Sequence, residues 1–198
     1  MVKRRRVSAA ERKELLLETG LRLAREGGAG ALTLARLADA CGVSKPIAYQ
    51  HFASLTGLLH AMLRRVGAEY EEAVMEVMAA HRRTATTTAP TAATTDALRA
   101  LCDAYIACTL ENGALHADIA AALIAAGEPA AAVHVDDAER YAGLVIELLG
   151  LDQRSAYAVT AAFLGAADRL CEAVAAGRLT AGEATDVLLR LFPTSGLA

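Results

Sequence analysis

Apolar residues recur along the chain at three- and four-residue intervals, and glycine, proline and asparagine cut this pattern into helices. Ser8-Ala9-Ala10-Glu11 fits a capping box and predicts a first helix to about Glu26. Leu16, Gly20 and Leu23 form its inner stripe, with Gly20 leaving room for another helix, and Gly27, Gly28 and Gly30 end it. Thr33 is placed to cap a short second helix whose Leu34, Leu37, Ala38 and Cys41 share one apolar face. Gly42 stands where a helix ends in a left-handed residue, and Val43 folds back onto that face. Ser44 can then cap a third helix, which tolerates Pro46 because its first turn has no intrahelical N–H bond to lose. Ile47, Ala48 and Phe52 of this helix face inward, while Lys45, Tyr49, Gln50 and His51 face out. After Ala53-Ser54-Leu55-Thr56-Gly57 a long helix runs to about Arg83, with an inner stripe of Leu58, Leu59, Met62, Val66, Tyr70, Val74 and Val77 or Met78.

Residues Thr84 to Thr95 form an uncharged Thr/Ala stretch with one proline, which predicts a flexible loop. Further helices are expected at about Asp96–Glu111, Leu115–Ala126, Ala130–Leu149, Gln153–Ala176 and Thr180–Leu191. The stops between them are Asn112-Gly113, Gly127-Glu128-Pro129, Gly150 and Gly177. The last two long helices are rich in small residues (Ala158, Ala161, Ala162, Gly165, Ala166, Ala173). Such helices pack closely, either within the chain or against a second copy. The fold class is all-α, with about nine helices.

Composition agrees with a helical fold. Hydrophobic residues make up 55% of the 198, but aromatics only 4%, so the residues that sheets favour are scarce. A net charge of −3 argues against a nucleic-acid binder until its distribution is considered. Up to Val66 there are 12 Lys/Arg against 5 Asp/Glu, and beyond it 8 against 18. A basic N-terminal part on an acidic remainder suits a DNA-contacting head joined to a body with another task. Cys41, Cys102, Cys108 and Cys171 show no C-x-x-C spacing and read as small buried apolar residues in a reducing compartment. No apolar h-region follows the basic N-terminus, and the run Ile119–Ala126 is too short to cross a bilayer. A soluble, cytoplasmic protein with no membrane partner is expected.

Two short helices around a glycine turn, the second presenting a cation and hydrogen-bonding groups, describe a helix-turn-helix. Over Thr33–Leu59 the chain resembles the DNA-binding segment of the TetR family of bacterial transcriptional regulators. The resemblance rests on Thr33, Leu37, Ala38, Gly42, Val43, Ser44, Tyr49, Phe52, Ser54 and Leu58, with the Gly28-to-Thr33 approach before them. It covers about the first third of the chain. It implies a three-helix DNA-binding head, residues 1–53, and an effector-binding and dimerisation domain, residues 54–198. Lys45 and Gln50, with Pro46 beside them, are placed to reach base edges or phosphates, and Gln can pair with adenine in the major groove. Thr33, Ser44, Tyr49 and His51 resemble family positions that hydrogen-bond phosphate. Lys3 and Arg4, Arg5 and Arg6 form a basic arm able to contact phosphates or a minor groove. The family usually carries a phosphate-binding lysine where this chain has Leu55, so one positioning contact is missing.

Catalysis finds no support. There is no nucleophile with a base, no glycine-rich phosphate loop and no metal-ligand spacing, and no cofactor is implied. Asp136, Asp137 and Glu139 near His134 read as a solvated helix face, and His116 and Asp118 have no defined spacing. The resemblance implies an effector pocket, for which Met75, Tyr105, Cys108, Thr109, His116, Tyr141 and Phe163 are candidates. The expected protein is a homodimeric, ligand-responsive regulator, a repressor that leaves a palindromic double-stranded operator when a small-molecule effector binds. The homodimer would form through the last two long helices. The alternative is a sequence-tolerant architectural DNA-binding protein without a ligand.

Overall fold

A computed structural model describes residues 8–84, 90–129 and 137–192. These form eight α-helices and one 3₁₀ turn: α1 (Ala9–Gly27), the turn Ala29–Ala31, α2 (Leu34–Ala40), α3 (Lys45–Phe52), α4 (Leu55–Thr84), α5 (Pro90–Ala125), α6 (Asp137–Leu149), α7 (Gln153–Ala175) and α8 (Ala181–Leu189). The all-α class is as the periodicity predicts, and no strand occurs among the described residues.

The helices form two compact units. One takes the chain up to Gly67 together with the stretch from Leu115; the other takes Ala68–Ala114 and α6 to α8. This grouping follows packing and does not coincide with the single functional division expected after residue 53. Helices α4 and α5 each contribute residues to both units.

In the first unit, Ser8 closes the predicted capping box: its Oγ accepts the Glu11 N–H at 3.1 Å, and Glu11 Oε2 accepts the Ser8 N–H at 2.7 Å. Leu16, Leu21 and Leu23 of α1 pack with Leu34 and Leu37 of α2, Ala48 and Phe52 of α3, and Leu58, Leu59 and Met62 of α4. Leu115, Ile119, Ala120 and Leu123 of α5 complete this core. The approach at Gly20 is close: a Cβ there would stand 3.4 Å from Met62 Sδ and 3.6 Å from Leu58 Cδ1, ordinary contact distances. A methyl therefore fits at this position.

The second unit is built around Val74 and Met78 of α4, Leu98, Cys102 and Ile106 of α5, Ala142 and Leu148 of α6, Phe163 and Cys171 of α7, and Leu188 of α8. Polar bonds tie its helices at their edges. Arg82 donates through Nε and Nη2 to the two Glu147 oxygens, both at 2.7 Å, and Arg140 pairs with Glu71. Thr185 donates to Asp103 at 2.5 Å, and Arg99 to Asp186 at 3.0 Å.

Two predicted stops are absent. Helix α5 already runs at Pro90, so residues 90–95 of the expected loop are helical; residues 85–89 lie outside the described ones. Ala93, Ala97 and Leu98 are buried at helical spacing, which supplies the apolar stripe that this Thr/Ala stretch seemed to lack. Asn112-Gly113 lies inside the same helix, so two predicted helices are one. Asn112 is buried, and among the described residues no buried side-chain polar atom lacks a partner, so its burial within the helix is satisfied.

Glycine is required at a different position. Between α3 and α4 the Ser54 N–H donates to the Phe52 carbonyl at 2.7 Å around Ala53, which has φ 61° and ψ −42°, a γ-turn of the rarer, strained hand. Three residues on, a Cβ at Gly57 would overlap the Phe52 carbonyl oxygen.

Contrasting outcomes follow for the two glycines. Gly20→Ala should raise stability by about 0.5–1 kcal/mol, because glycine is the poorer helix former and a methyl fits. Gly57→Ala should lower it by more than about 2 kcal/mol, since backbone must move. Ala53→Gly should raise it by about 1 kcal/mol. Urea denaturation of the three variants checks these signs. The Arg82 hydrogen bond holds the Glu147 carboxyl below its ordinary value. A carboxylate with a lowered folded pKa stabilises above its unfolded value and ceases to do so as pH falls through the folded one. The stability difference between the parent and Glu147→Gln should accordingly be small, as for any exposed pair, and shrink further between about pH 6 and pH 3.

Candidate functional site

The turn between α2 and α3 presents the first candidate surface. Thr33 caps α2, its Oγ1 accepting the Arg36 N–H at 3.1 Å. At the other end Val43 N–H donates to Ala38 O at 3.0 Å and Gly42 N–H to Asp39 O at 3.2 Å, with Gly42 at φ 65°. This pairing is the Schellman motif, and half-buried Val43 packs on the core beneath it. Both ends of α2 are thereby fixed, and α3 starts at a set angle.

Helix α3 is anchored by its inner face. Ala48 is fully buried and Phe52 nearly so. Lys45, Pro46, Tyr49 and Gln50 are exposed on the face that remains, with Tyr49 54% exposed. Positions 45 and 49, and 46 and 50, are neighbours on a helix surface, so the structure brings these four into one patch. His51 is half-buried with its ring against Phe52, at 6.5 Å between centroids, beside the patch. Ser44 occupies the N-cap position in extended conformation, but its hydroxyl makes no capping bond, contrary to the expected cap. Leu55 is half-buried against the head core, a packing role in place of a phosphate contact. Arg4, Arg5 and Arg6 lie outside the described residues.

The second unit holds a cavity of about 40 Å³. Tyr70 of α4, Leu98 and Leu101 of α5, Tyr141, Leu144, Val145 and Leu148 of α6, Thr160, Phe163 and Leu164 of α7, and Phe192 line it. Of the predicted ligand residues, Tyr141 and Phe163 are among these. Tyr105 adjoins the lining through its ring contacts with Tyr70 and Phe163, at 5.3 and 5.6 Å, and donates its hydroxyl to Asp168 at 2.8 Å. Burial, with that hydrogen bond, pushes its phenol above the ordinary range, so it stays a neutral donor. Met75 is 61% exposed and does not line this cavity. Cys108 and Thr109 are half-buried on α5 outside the lining, and His116 lies in the stretch of α5 that belongs to the first unit. Tyr70, Thr160 and Phe192 were missed from sequence; Tyr70 had appeared only as a stripe residue of α4, since a core position and a cavity wall share one periodicity.

Little else is chemically equipped. Burial raises the Cys102 thiol to about 12 and also raises Cys171, which makes both poor nucleophiles. None of the four cysteines is in a disulfide. Among the described residues no group of three or more His, Cys, Asp or Glu is placed to hold a metal, and no helix is long and apolar enough to cross a membrane. His134 and Asp136 lie outside the described residues.

A capped, glycine-turned helix pair with an exposed polar patch on the second helix defines a helix-turn-helix in an otherwise all-α chain. Residues 16–62 match the model of the family described as bacterial regulatory proteins, tetR family. A TetR-like transcriptional regulator from Rhodococcus sp. RHA1 has a similar structure, with a TM-score of 0.63 and 19% identity over 94% of this chain and 96% of that one. A TetR-family member from Streptomyces coelicolor A3 aligns with a TM-score of 0.61 and 22% identity, over 92% and 99% of the two chains. The multidrug binding protein EbrR, solved in complex with imidazole, gives 0.60 and 23% over 92% and 96%. At these identities the structural likeness concerns the fold. No curated protein matches the sequence.

The geometry sets apart two kinds of substitution in the helix pair. Thr33→Ala removes a cap and should cost about 1 kcal/mol of stability, whereas Lys45→Ala and Tyr49→Ala leave the fold intact; thermal melts separate them.

Proposed function

We propose that this chain is a cytoplasmic, ligand-responsive transcriptional regulator, a repressor that binds a palindromic operator as a homodimer and leaves it when a small molecule binds. Residues 1–53 with the basic arm Arg4 to Arg6 serve DNA contact, and residues 54–198 serve effector binding and dimerisation. The observation that carries this reading is the α3 patch: a cation, a phenol and an amide exposed on a helix whose opposite face is locked in the core. Lys45 and Gln50 address base edges or phosphates, and Thr33, Ser44, Tyr49 and His51 address phosphates. One such head makes few contacts, so specific binding requires two on a repeated half-site.

The exposed face of α7 supports the dimer. Tyr157, Ala158, Ala161, Ala162 and Gly165 are exposed at helical spacing, and nothing lies within 4 Å of a Cβ built on Gly165. Val187 of α8 and Leu191 just beyond it are also exposed. A flat strip of small residues allows the matching helix of a second copy to approach closely. Effector and operator then oppose one another by linkage: the ligand binds better to a conformation in which the two heads do not match successive major grooves.

Selection from a random duplex pool at fixed, near-physiological salt should enrich a palindrome with half-sites about one helical turn apart. A folded, dimeric protein that enriches no motif would overturn the reading. Lys45→Ala should lower the slope of log affinity against log salt by about 1 per head, and Tyr49→Ala should weaken binding across all sequences alike. Ala161→Arg should turn the dimer into a monomer in sedimentation and lower operator affinity more than tenfold.

A further inference from the structure

The lining of the second-unit cavity restricts what it can accept. Its lining holds no Asp, Glu, Lys, Arg or His, and its one aliphatic hydroxyl, Thr160, already donates to the Ala156 carbonyl at 2.7 Å. A charged molecule entering it would lose its hydration and meet no counter-charge. The rings of the lining are packed against one another. Tyr141 meets Tyr70 at 5.5 Å and 77°, and Phe163 meets Tyr105 at 5.6 Å and 72°, edge against face.

Size narrows the choice further. An apolar cavity of roughly 150 Å³ holds benzene, so at about 40 Å³ a ring enters only if part of the wall repacks. Leu101, Leu144 and Leu164 are half-buried and packed at the margin of the core, so they have less contact to lose on changing rotamer than Leu98, Val145 and Leu148, which are buried.

We infer that the cavity takes a small uncharged molecule made mainly of hydrocarbon, no larger than one six-membered ring with a small substituent, seated by displacing the half-buried leucines. This inference rests on the proposed regulator only for the consequence of binding.

Toluene, benzoate and benzylammonium, which share one shape and differ in charge, serve as probes for calorimetry on the full chain at neutral pH. Toluene should bind saturably and at least tenfold more tightly than either ion. Leu144→Phe and Val145→Phe, which fill the cavity, should each lower toluene affinity at least tenfold; Leu144 is half-buried, so its variant serves if the other fails to fold. Absence of toluene binding, equal binding of a charged probe, or toluene binding unchanged in a folded filling variant would overturn the inference. Saturable toluene binding that does not release the selected duplex upholds the ligand class and removes the effector role. Failure of the chain to bind any duplex removes the regulator reading while calorimetry still decides the ligand class.

Discussion

The exposed patch on α3 depends on a fit of backbone against backbone at that helix's far end. The carbonyl oxygen of Phe52 occupies the space that any side chain on residue 57 would need, and the turn between them is closed by Ser54 donating to that same oxygen. Helix α3 is only eight residues long and has little helical stability of its own. Its direction is imposed from both sides: by the glycine turn after α2, and by a junction with α4 too tight to rotate. Ala48 and Phe52 then fix its roll by burial, and Lys45, Tyr49 and Gln50 are presented as a consequence. Ala53, held at positive φ without being glycine, is strained backbone of the kind that persists when the surroundings leave no alternative.

The head was legible in the sequence because each of its signals is local. Ser8 and Glu11 bond across three residues, Thr33 reaches Arg36, and Gly42 and Val43 close onto the end of their own helix. The pair Asn112-Gly113 shows the opposite case. Locally it favours a stop, but Asn112 is buried and tertiary packing carries the helix through it. The start of α5 misled for a related reason: a Thr/Ala stretch carries a weak hydrophobic period, and its helicity comes from burial of Ala93 and Ala97. Site residues divide in the same manner. Those on α3 follow from which face of one helix is polar, whereas a cavity arises where walls from several helices fail to meet. Nothing in the local pattern distinguishes Tyr70 and Phe163, which border empty space, from Met78, which does not.

The second unit combines an apolar interior with polar ties at its rim. Arg82 with Glu147, Arg140 with Glu71 and Arg99 with Asp186 join different helices near their exposed edges, where water weakens each pair. Such ties set the register between helices more than they add stability. On the ligand class inferred above, accommodation would be a local repacking within that frame, at a cost spread over many weak contacts.

The end of α5 carries a consequence for how such a protein can be assembled from parts. Asp118 accepts the Ala29 N–H at 2.6 Å at the turn that follows α1, and Leu115, Ile119 and Leu123 sit among the leucines of α1, α2 and α4. The head is therefore not an N-terminal cassette. Recombination that exchanged only the first part of the chain for that of another regulator would give the new head a foreign α5, with its carboxylate and its three apolar positions left to chance. Changes in the helix-turn-helix core must be matched some ninety residues downstream, as the separation of 89 residues between Ala29 and Asp118 makes concrete. In packing, the two stretches form one unit.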